Sequence, residues 1–160
     1  MKVECYVAVV SALGVWLGCS QQGPTRLAPR DFVVAGITHA TDSAAVRQQL
    51  GQPDSVTVGD HPFDVGGKLI DWWYRGVRIS YNGAPTVAGF WLTGHRYSTM
   101  RGVHVGDSSA RVRRIYGEPM VQNEGGNAWV YEDPDDPLHL IKFWFKDGVV
   151  QSVFLGRALD

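Results

Sequence analysis

Two stretches of this 160-residue chain that resemble each other indicate how it folds. Residues 36–53 run GITHATDSAAVRQQLGQP, and residues 102–119 run GVHVGDSSARVRRIYGEP. They align without a gap at a constant offset of 66 positions (102 − 36 = 66), and they agree at the glycines 36/102 and 51/117, the prolines 53/119 and the apolar positions 37/103 and 46/112. An internal repeat of this kind indicates a duplicated structural unit, because each copy carries the same local signals.

Each copy of the repeat predicts a short helix. Residues 41–43 (Thr-Asp-Ser) and 107–109 (Asp-Ser-Ser) supply side-chain oxygens that can cap the first free amides of a helix. Apolar residues then recur at three- and four-residue spacing. Gly51 and Gly117 stand where a left-handed residue ends a helix, and a proline two positions later prevents its continuation. Helices this short do not persist alone, so each must pack on other elements.

The sequence after each helix is typical of antiparallel strands. Strand-like runs fall at 69–74, 77–81 and 87–92 in the first copy, and at 128–131, 140–145 and 149–155 in the second. Asn82-Gly83 and Asp147-Gly148 mark turns between them. We therefore predict an α+β fold of two tandem units, each a short helix packed on about three antiparallel strands. The strands of the two units either stay separate or form one continuous sheet.

The first twenty residues predict export. Lys2 precedes an apolar run over residues 5–18, whose length suits a signal-peptide core better than a membrane span. The run ends in Gly18-Cys19-Ser20, which resembles a bacterial lipobox, where the cysteine is lipidated and becomes the new N-terminus. Two alternatives stay open: ordinary cleavage before Gln21, and a buried N-terminal strand or helix.

These signals divide the chain into three segments. Residues 1–19 are predicted to be a signal peptide with a lipobox-like end, and residues 20–30 a flexible tether. Residues 31–160 are predicted to form a single compact domain of two repeats, at about 31–97 and 98–160. A lipid at Cys19 would attach the protein to the membrane of the cell envelope, at the outer membrane or its periplasmic face. Without that lipid the protein would be secreted.

Composition excludes several classes of protein. The formal net charge of −1 argues against nucleic-acid binding, which requires a basic surface. Arg111, Arg113 and Arg114 cluster, but a solvated helix face explains them. Both cysteines lie in the first nineteen residues, so no disulfide framework is expected in the folded part.

The segment 102–119 also carries a family resemblance. Its pattern Gly-apolar-x-x-Gly-Asp-Ser-x-x-x-Val-x-x-x-Tyr-Gly-x-Pro resembles the helix motif of the SmpA/OmlA (BamE-like) outer-membrane assembly lipoproteins. Two copies in tandem are also similar to the β-lactamase inhibitor protein, which is built from two helix-plus-sheet repeats. The resemblance covers residues of about 31 to 157 as a pattern, and the first copy departs from it at Ala40-Thr41. It implies protein binding through a sheet face or loops, and no binding residue is carried over from it.

One enzymatic alternative starts from Gly106-Asp107-Ser108, which resembles the nucleophile block of a GDSL-type esterase, with Asp136 and His139 as the base pair. The aligned position in the first copy is Asp42, which is what a helix cap predicts. The antiparallel strand pattern also disagrees with the parallel sheet of that esterase fold. We expect Ser108 to be a cap and the protein not to be an enzyme.

Metal and cofactor sites are not predicted either. The histidines lack metal-ligand spacing and have no partner cysteine in the folded part; they stand at positions 39, 61, 95, 104 and 139. The acidic run between Glu132 and Asp136 lacks the alternating ligands and glycine turn of a calcium loop. It is expected to be a solvated hairpin loop.

Aromatic residues provide the candidate binding surface. Trp72 and Trp73 are adjacent, so on a strand they must point to opposite faces of the sheet. The helices can cover only one face, so one of these two rings is expected on the uncovered face, together with Trp144 or its neighbours. Exposed aromatic residues in a concave sheet would form a protein-binding surface. The alternative is that the two units pack sheet against sheet, or that loops cover the rings.

Together these features predict a non-catalytic exported lipoprotein that binds a protein partner or supports an envelope assembly. The alternative is a secreted inhibitor of a hydrolase that acts through a concave sheet face. The candidate residues are Cys19 for lipidation and Trp72, Trp73 and Trp144 for protein binding, with no cofactor and no nucleic acid as partner.

Overall fold

A computed structural model describes residues 26–60, 67–123 and 125–158 of the chain. The predicted signal peptide and Cys19 lie outside the described residues. The helices are α1 (Ser43–Leu50) and α2 (Ser109–Tyr116), and a 3₁₀ turn covers Pro29–Phe32. The strands are β1 (Ser55–Asp60), β2 (Lys68–Tyr74), β3 (Val77–Asn82), β4 (Gly89–Leu92), β5 (Val121–Gln122), β6 (Ala128–Asp133), β7 (Asp136–Lys146) and β8 (Val149–Arg157).

The strands form one eight-stranded antiparallel sheet in the order β1-β2-β3-β4-β8-β7-β6-β5. The prediction of two units, each a helix on about three strands, is wrong: the described residues fold mainly as this single sheet, to which each half of the chain gives four strands, and α1 and α2 are only eight residues long each. The two halves of the chain share a sheet because β4 and β8 pair at its centre, with Phe90 opposite Leu155 and Leu92 opposite Val153. This pairing satisfies backbone groups that two separate sheets would each leave unpaired along an edge.

Both helices begin and end where the sequence predicted. Asp42 Oδ1 accepts a hydrogen bond from the backbone N–H of Ala45 at 2.8 Å, and Ser108 caps α2 in the same way at 3.3 Å. The helices end at Gly51 and Gly117, whose φ angles of 84° and 78° favour glycine. The caps satisfy amide groups that a short helix otherwise leaves without partners.

A tyrosine of the sheet forms a hydrogen bond with the C-terminal end of each helix. The Tyr74 hydroxyl donates to the carbonyl of Gly51 at 3.2 Å, and the Tyr131 hydroxyl donates to the carbonyl of Gly117 at 3.0 Å. The first bond is exposed and the second is buried. Each tyrosine therefore joins a helix end to the strand beneath it.

The helices pack on one face of the sheet, which holds the core. The Arg47 guanidinium of α1 lies 4.4 Å from the ring centroid of Trp72, and the Tyr116 ring of α2 lies 5.2 Å from the ring of Tyr131. The core on this face includes Ile79, Tyr81, Phe90, Leu92, Trp129, Ile141, Phe143, Val153 and Leu155. Alternate residues of the same strands point to the opposite face.

The segment before the first repeat is part of the folded structure from Arg26 onward. The flexible tether was predicted at residues 20–30, of which residues 26–30 are described. Leu27 lies in this segment, and its side chain is buried in the core, with 2% exposed. Asp31 is also buried, and Arg101 binds its carboxylate through Nε at 2.6 Å and Nη2 at 2.7 Å. This ion pair joins the N-terminal segment to the loop that precedes α2.

Candidate binding face

The face of the sheet opposite the helices, here called the open face, carries a second set of aromatic and charged side chains. Strand alternation places these residues together, because each is one position away from a core residue. The register pairs Arg78 with Trp91 across β3 and β4, and Trp91 with Phe154 across β4 and β8. Lys142 follows opposite Phe154 on β7.

Five side chains of the open face form a continuous row, here called the aromatic ladder: Trp73, Arg78, Trp91, Trp144 and Lys142. The guanidinium of Arg78 lies between two rings, 5.1 Å from the centroid of Trp73 and 4.6 Å from that of Trp91. The rings of Trp91 and Trp144 stack at 5.0 Å with 21° between their planes. Lys142 Nζ lies 4.8 Å from the Trp144 ring at the end of the row. Cation–π and stacking contacts of this kind hold the rings in fixed positions.

A groove of about 500 Å³ lies along the open face beside the ladder. Its walls come from both halves of the sheet, since Leu69 on β2 and Val121 on β5 both line it. Because five strands separate β2 from β5 in the sheet, the open face must be strongly concave. Neither α1 nor α2 contributes a lining residue in the described part of the chain.

Two glycines face each other beneath the ring of Phe154, which lines the groove. Gly89 pairs with Gly156 across β4 and β8. A Cβ atom at Gly89 would lie 2.8 Å from the ring of Phe154, and one at Gly156 would lie 2.9 Å from Gly89 Cα. The Phe154 ring therefore packs over bare backbone, which a larger residue at either glycine would prevent.

Some charged side chains of the open face form ion pairs, and others do not. Asp71 is 8% exposed, and it accepts hydrogen bonds from Ser80 Oγ at 2.5 Å and from Arg78 at 3.3 Å. A buried carboxylate requires partners of this kind. Within the described residues, neither Lys142 nor Glu132 forms an ion pair, although both line the groove.

The structure separates the three tryptophans that the sequence proposed as binding residues. Trp72 lies on the helix face, where it is 5% exposed. Trp73 and Trp144 lie on the open face as members of the ladder. Trp91 and Phe154 were not among the predicted binding residues, although strand alternation in Phe90-Trp91-Leu92 places Trp91 on the face opposite to its two apolar neighbours.

The serine of the esterase alternative does not meet the Asp136–His139 pair. Ser108 caps α2 and forms a β-bridge with Val149, at the start of β8. His139 pairs with Arg157, at the end of the same strand. Eight residues of extended chain separate these two points (157 − 149 = 8), a distance of about 27 Å. Ser108 therefore acts as the predicted helix cap.

A second cavity of about 410 Å³ lies on the helix side, beside the 3₁₀ turn. It contains His39 and His139, whose ring centroids are 5.5 Å apart. Burial lowers the pKa of His39, against the effect of its Nδ1 contact with the Val87 carbonyl at 3.0 Å. His139 Nδ1 lies 3.1 Å from a carboxylate oxygen of Asp136. Residues 26–60, 67–123 and 125–158 contain no group of three or more potential metal ligands.

Comparison with known proteins identifies a fold but no family. No family model matches the sequence, and no curated protein sequence matches it. An extracellular protein containing an SCP domain, from Bacillus anthracis str. Ames, matches with a TM-score of 0.52 and 7% identity over 72% of this chain. This chain covers 43% of that protein.

A candidate β-lactamase inhibitor protein from Streptococcus mutans matches with a TM-score of 0.32 and 13% identity, covering 71% of this chain and 80% of that one. The Bacillus likeness concerns the fold alone. The SmpA/OmlA resemblance rests on the sequence pattern, since no family model supports it. Among the described residues, neither helix has the length and apolar character needed to cross a membrane.

Proposed function

We propose that this protein is an exported, non-catalytic lipoprotein that binds a protein partner through the open face of its sheet. The observation that carries the proposal is the aromatic ladder beside a groove of about 500 Å³ on a face that neither helix covers. Large aromatic and arginine side chains held in fixed positions are the residues that dominate binding at protein interfaces. Their rigidity lowers the entropic cost of association.

Export and lipidation are supported by the N-terminal sequence, with its apolar run and the Gly18-Cys19 pair. The extracellular description of the Bacillus protein agrees with export. Intact mass of the protein from a bacterial host, compared with Cys19→Ala, tests both parts. A chain that starts at Cys19 with the mass of a diacylglycerol, lost in the variant, supports lipidation. A full-length chain with its initiating methionine contradicts export.

Partner binding is tested by introducing a charge into the groove. Val130 lines the groove on β6, whereas Val58 on β1 is 62% exposed and lies outside it. Val130→Glu is expected to abolish recovery of a protein from detergent-solubilised envelope, because a carboxylate would be desolvated on binding. The matched variant Val58→Glu is expected to leave recovery unchanged. Identical recovery with wild type and Val130→Glu contradicts the use of this face.

The second candidate is a secreted hydrolase inhibitor that uses the same face, and the concave shape of the open face is the observation that favours it. A concave surface can enclose a protruding loop of an enzyme. Inhibition assays against a panel of periplasmic hydrolases test it, with Val130→Glu and Val58→Glu as the paired variants. Inhibition lost only in Val130→Glu supports this candidate, and no inhibition across the panel removes it.

A further inference from the structure

The groove contains a lysine, Lys142, that forms no ion pair with a carboxylate in the described part of the chain. The two cations of the aromatic ladder differ in this respect. Arg78 forms an ion pair with the buried carboxylate of Asp71 at 3.3 Å. Lys142 lies 4.8 Å from the ring of Trp144, and no described carboxylate is within ion-pair distance of it. The ring therefore holds the ammonium group at the groove wall, available to an anion.

The remaining charges of the groove give it a positive balance. Once the Arg78–Asp71 pair is set aside, Lys142 and Arg157 stand against Glu132 alone. Arg157 Nη2 lies 3.9 Å from a carboxylate oxygen of Asp136, and Asp136 does not line the groove. The rest of the lining is largely apolar and includes Leu69, Val121, Val130, Leu140 and Phe154.

We infer that the groove binds a segment of a partner protein that presents an apolar side chain beside a carboxylate, with the carboxylate bound to Lys142. The inference rests on the proposed function and adds the chemistry of the partner. The apolar side chain would pack against Leu140, Val130 and the edges of the ladder rings. A carboxylate bound to a pre-positioned ammonium forms a charge-assisted hydrogen bond, which is stronger than a neutral one.

The shape of the groove favours a protein segment over an anionic lipid. Neither α1 nor α2 covers the open face, so an acyl chain in the groove would keep the side away from the described residues in contact with water. A segment that belongs to a folded partner would instead cover the groove with the surrounding surface of that partner. The surface of the partner around the groove would then exclude water from the contact between Lys142 and the carboxylate, which strengthens their electrostatic attraction.

Capped pentapeptides that differ only at a central pair test the inference, with binding followed by the fluorescence of Trp91 and Trp144. The pairs are Asp-Phe, Asn-Phe, Lys-Phe and Asp-Ser. The Asp-Phe peptide is expected to bind about tenfold more tightly than Asn-Phe, with Lys-Phe and Asp-Ser weaker still. Lys142→Gln should remove the preference for Asp over Asn, whereas Lys146→Gln, exposed at the end of the same strand, should keep it.

Each other result overturns the inference. Equal affinity for Asp-Phe and Lys-Phe, or a preference that survives Lys142→Gln, excludes the carboxylate contact. Binding of dodecanoate with no binding of any peptide would assign the groove to a lipid. If neither the peptides nor dodecanoate bind at millimolar concentration, the inference is also wrong. If partner recovery is still lost with Val130→Glu in these cases, the proposed function stands and only the inferred chemistry fails.

Discussion

Replacing Asp31 by alanine is expected to lower the free energy of unfolding by about 3–5 kcal/mol, because it removes one partner of a buried ion pair. Asp31 is 2% exposed, and Arg101 reaches both of its carboxylate oxygens, at 2.6 and 2.7 Å. The backbone N–H of Ala28 donates to the same carboxylate at 2.9 Å. The hydrogen bond to Asp31 raises the pKa of Arg101 in the native protein. An arginine stays charged without such a bond, so in the variant the guanidinium loses its partner but keeps its charge.

Urea unfolding, followed by far-UV circular dichroism, measures this loss as a lower midpoint at unchanged slope. The control is Asp60→Ala, which breaks a surface pair with Lys68 whose side chains are 90% and 63% exposed. That change should cost less than about 1 kcal/mol. The double variant Asp31→Ala/Arg101→Ala should show a coupling energy of about 2 kcal/mol. If Asp31→Ala and Asp60→Ala lower the free energy of unfolding equally, the buried pair stabilises the fold no more than the exposed one, and the prediction is wrong.

The helix caps, the buried tyrosine bond and one histidine give three further predictions. Ser108→Ala and Asp42→Ala should each lower the free energy of unfolding by about 1 kcal/mol in urea, and no change in either would contradict the caps. Tyr131→Phe should cost about 1–2 kcal/mol because it leaves a buried carbonyl unpaired. Tyr74→Phe should cost less, since water can replace its exposed bond, and equal costs would contradict this difference. Burial lowers the pKa of His39, so the unfolded chain binds more protons as pH falls through about 6.5. Stability should therefore decrease below that pH and decrease less in His39→Gln, as urea midpoints across this range would show.

The helices were predictable from sequence because their signals are local. Asp42 and Ser108 cap helices through hydrogen bonds to amides three residues away, and Gly51 and Gly117 end them through their own backbone geometry. The edge strand β1, Ser55–Asp60, was missed, since its polar–apolar alternation covers only Ser55 to Val58 before Gly59, and the whole strand is exposed.

The candidate site was only partly predictable, because strand alternation gives opposite faces without saying which face is covered. Trp72 and Trp73 had to point apart, but α1 covers Trp72, and the contact of Arg47 with its ring is not visible in the sequence. The stacking of Trp91 on Trp144 joins residues 53 positions apart (144 − 91 = 53). It depends on a register that only the assembled sheet defines.

The two helices, their caps and the main strands could be predicted from the sequence alone, because each depends on residues close together in the chain. Two features are visible only in the tertiary structure. The pairing of β4 with β8 joins all strands in one sheet, and Arg78, Trp91 and Lys142 lie together on its open face. These outcomes depend on which strand edges pair and on how a long sheet twists. Both are settled by packing across the whole domain, and no short segment encodes them.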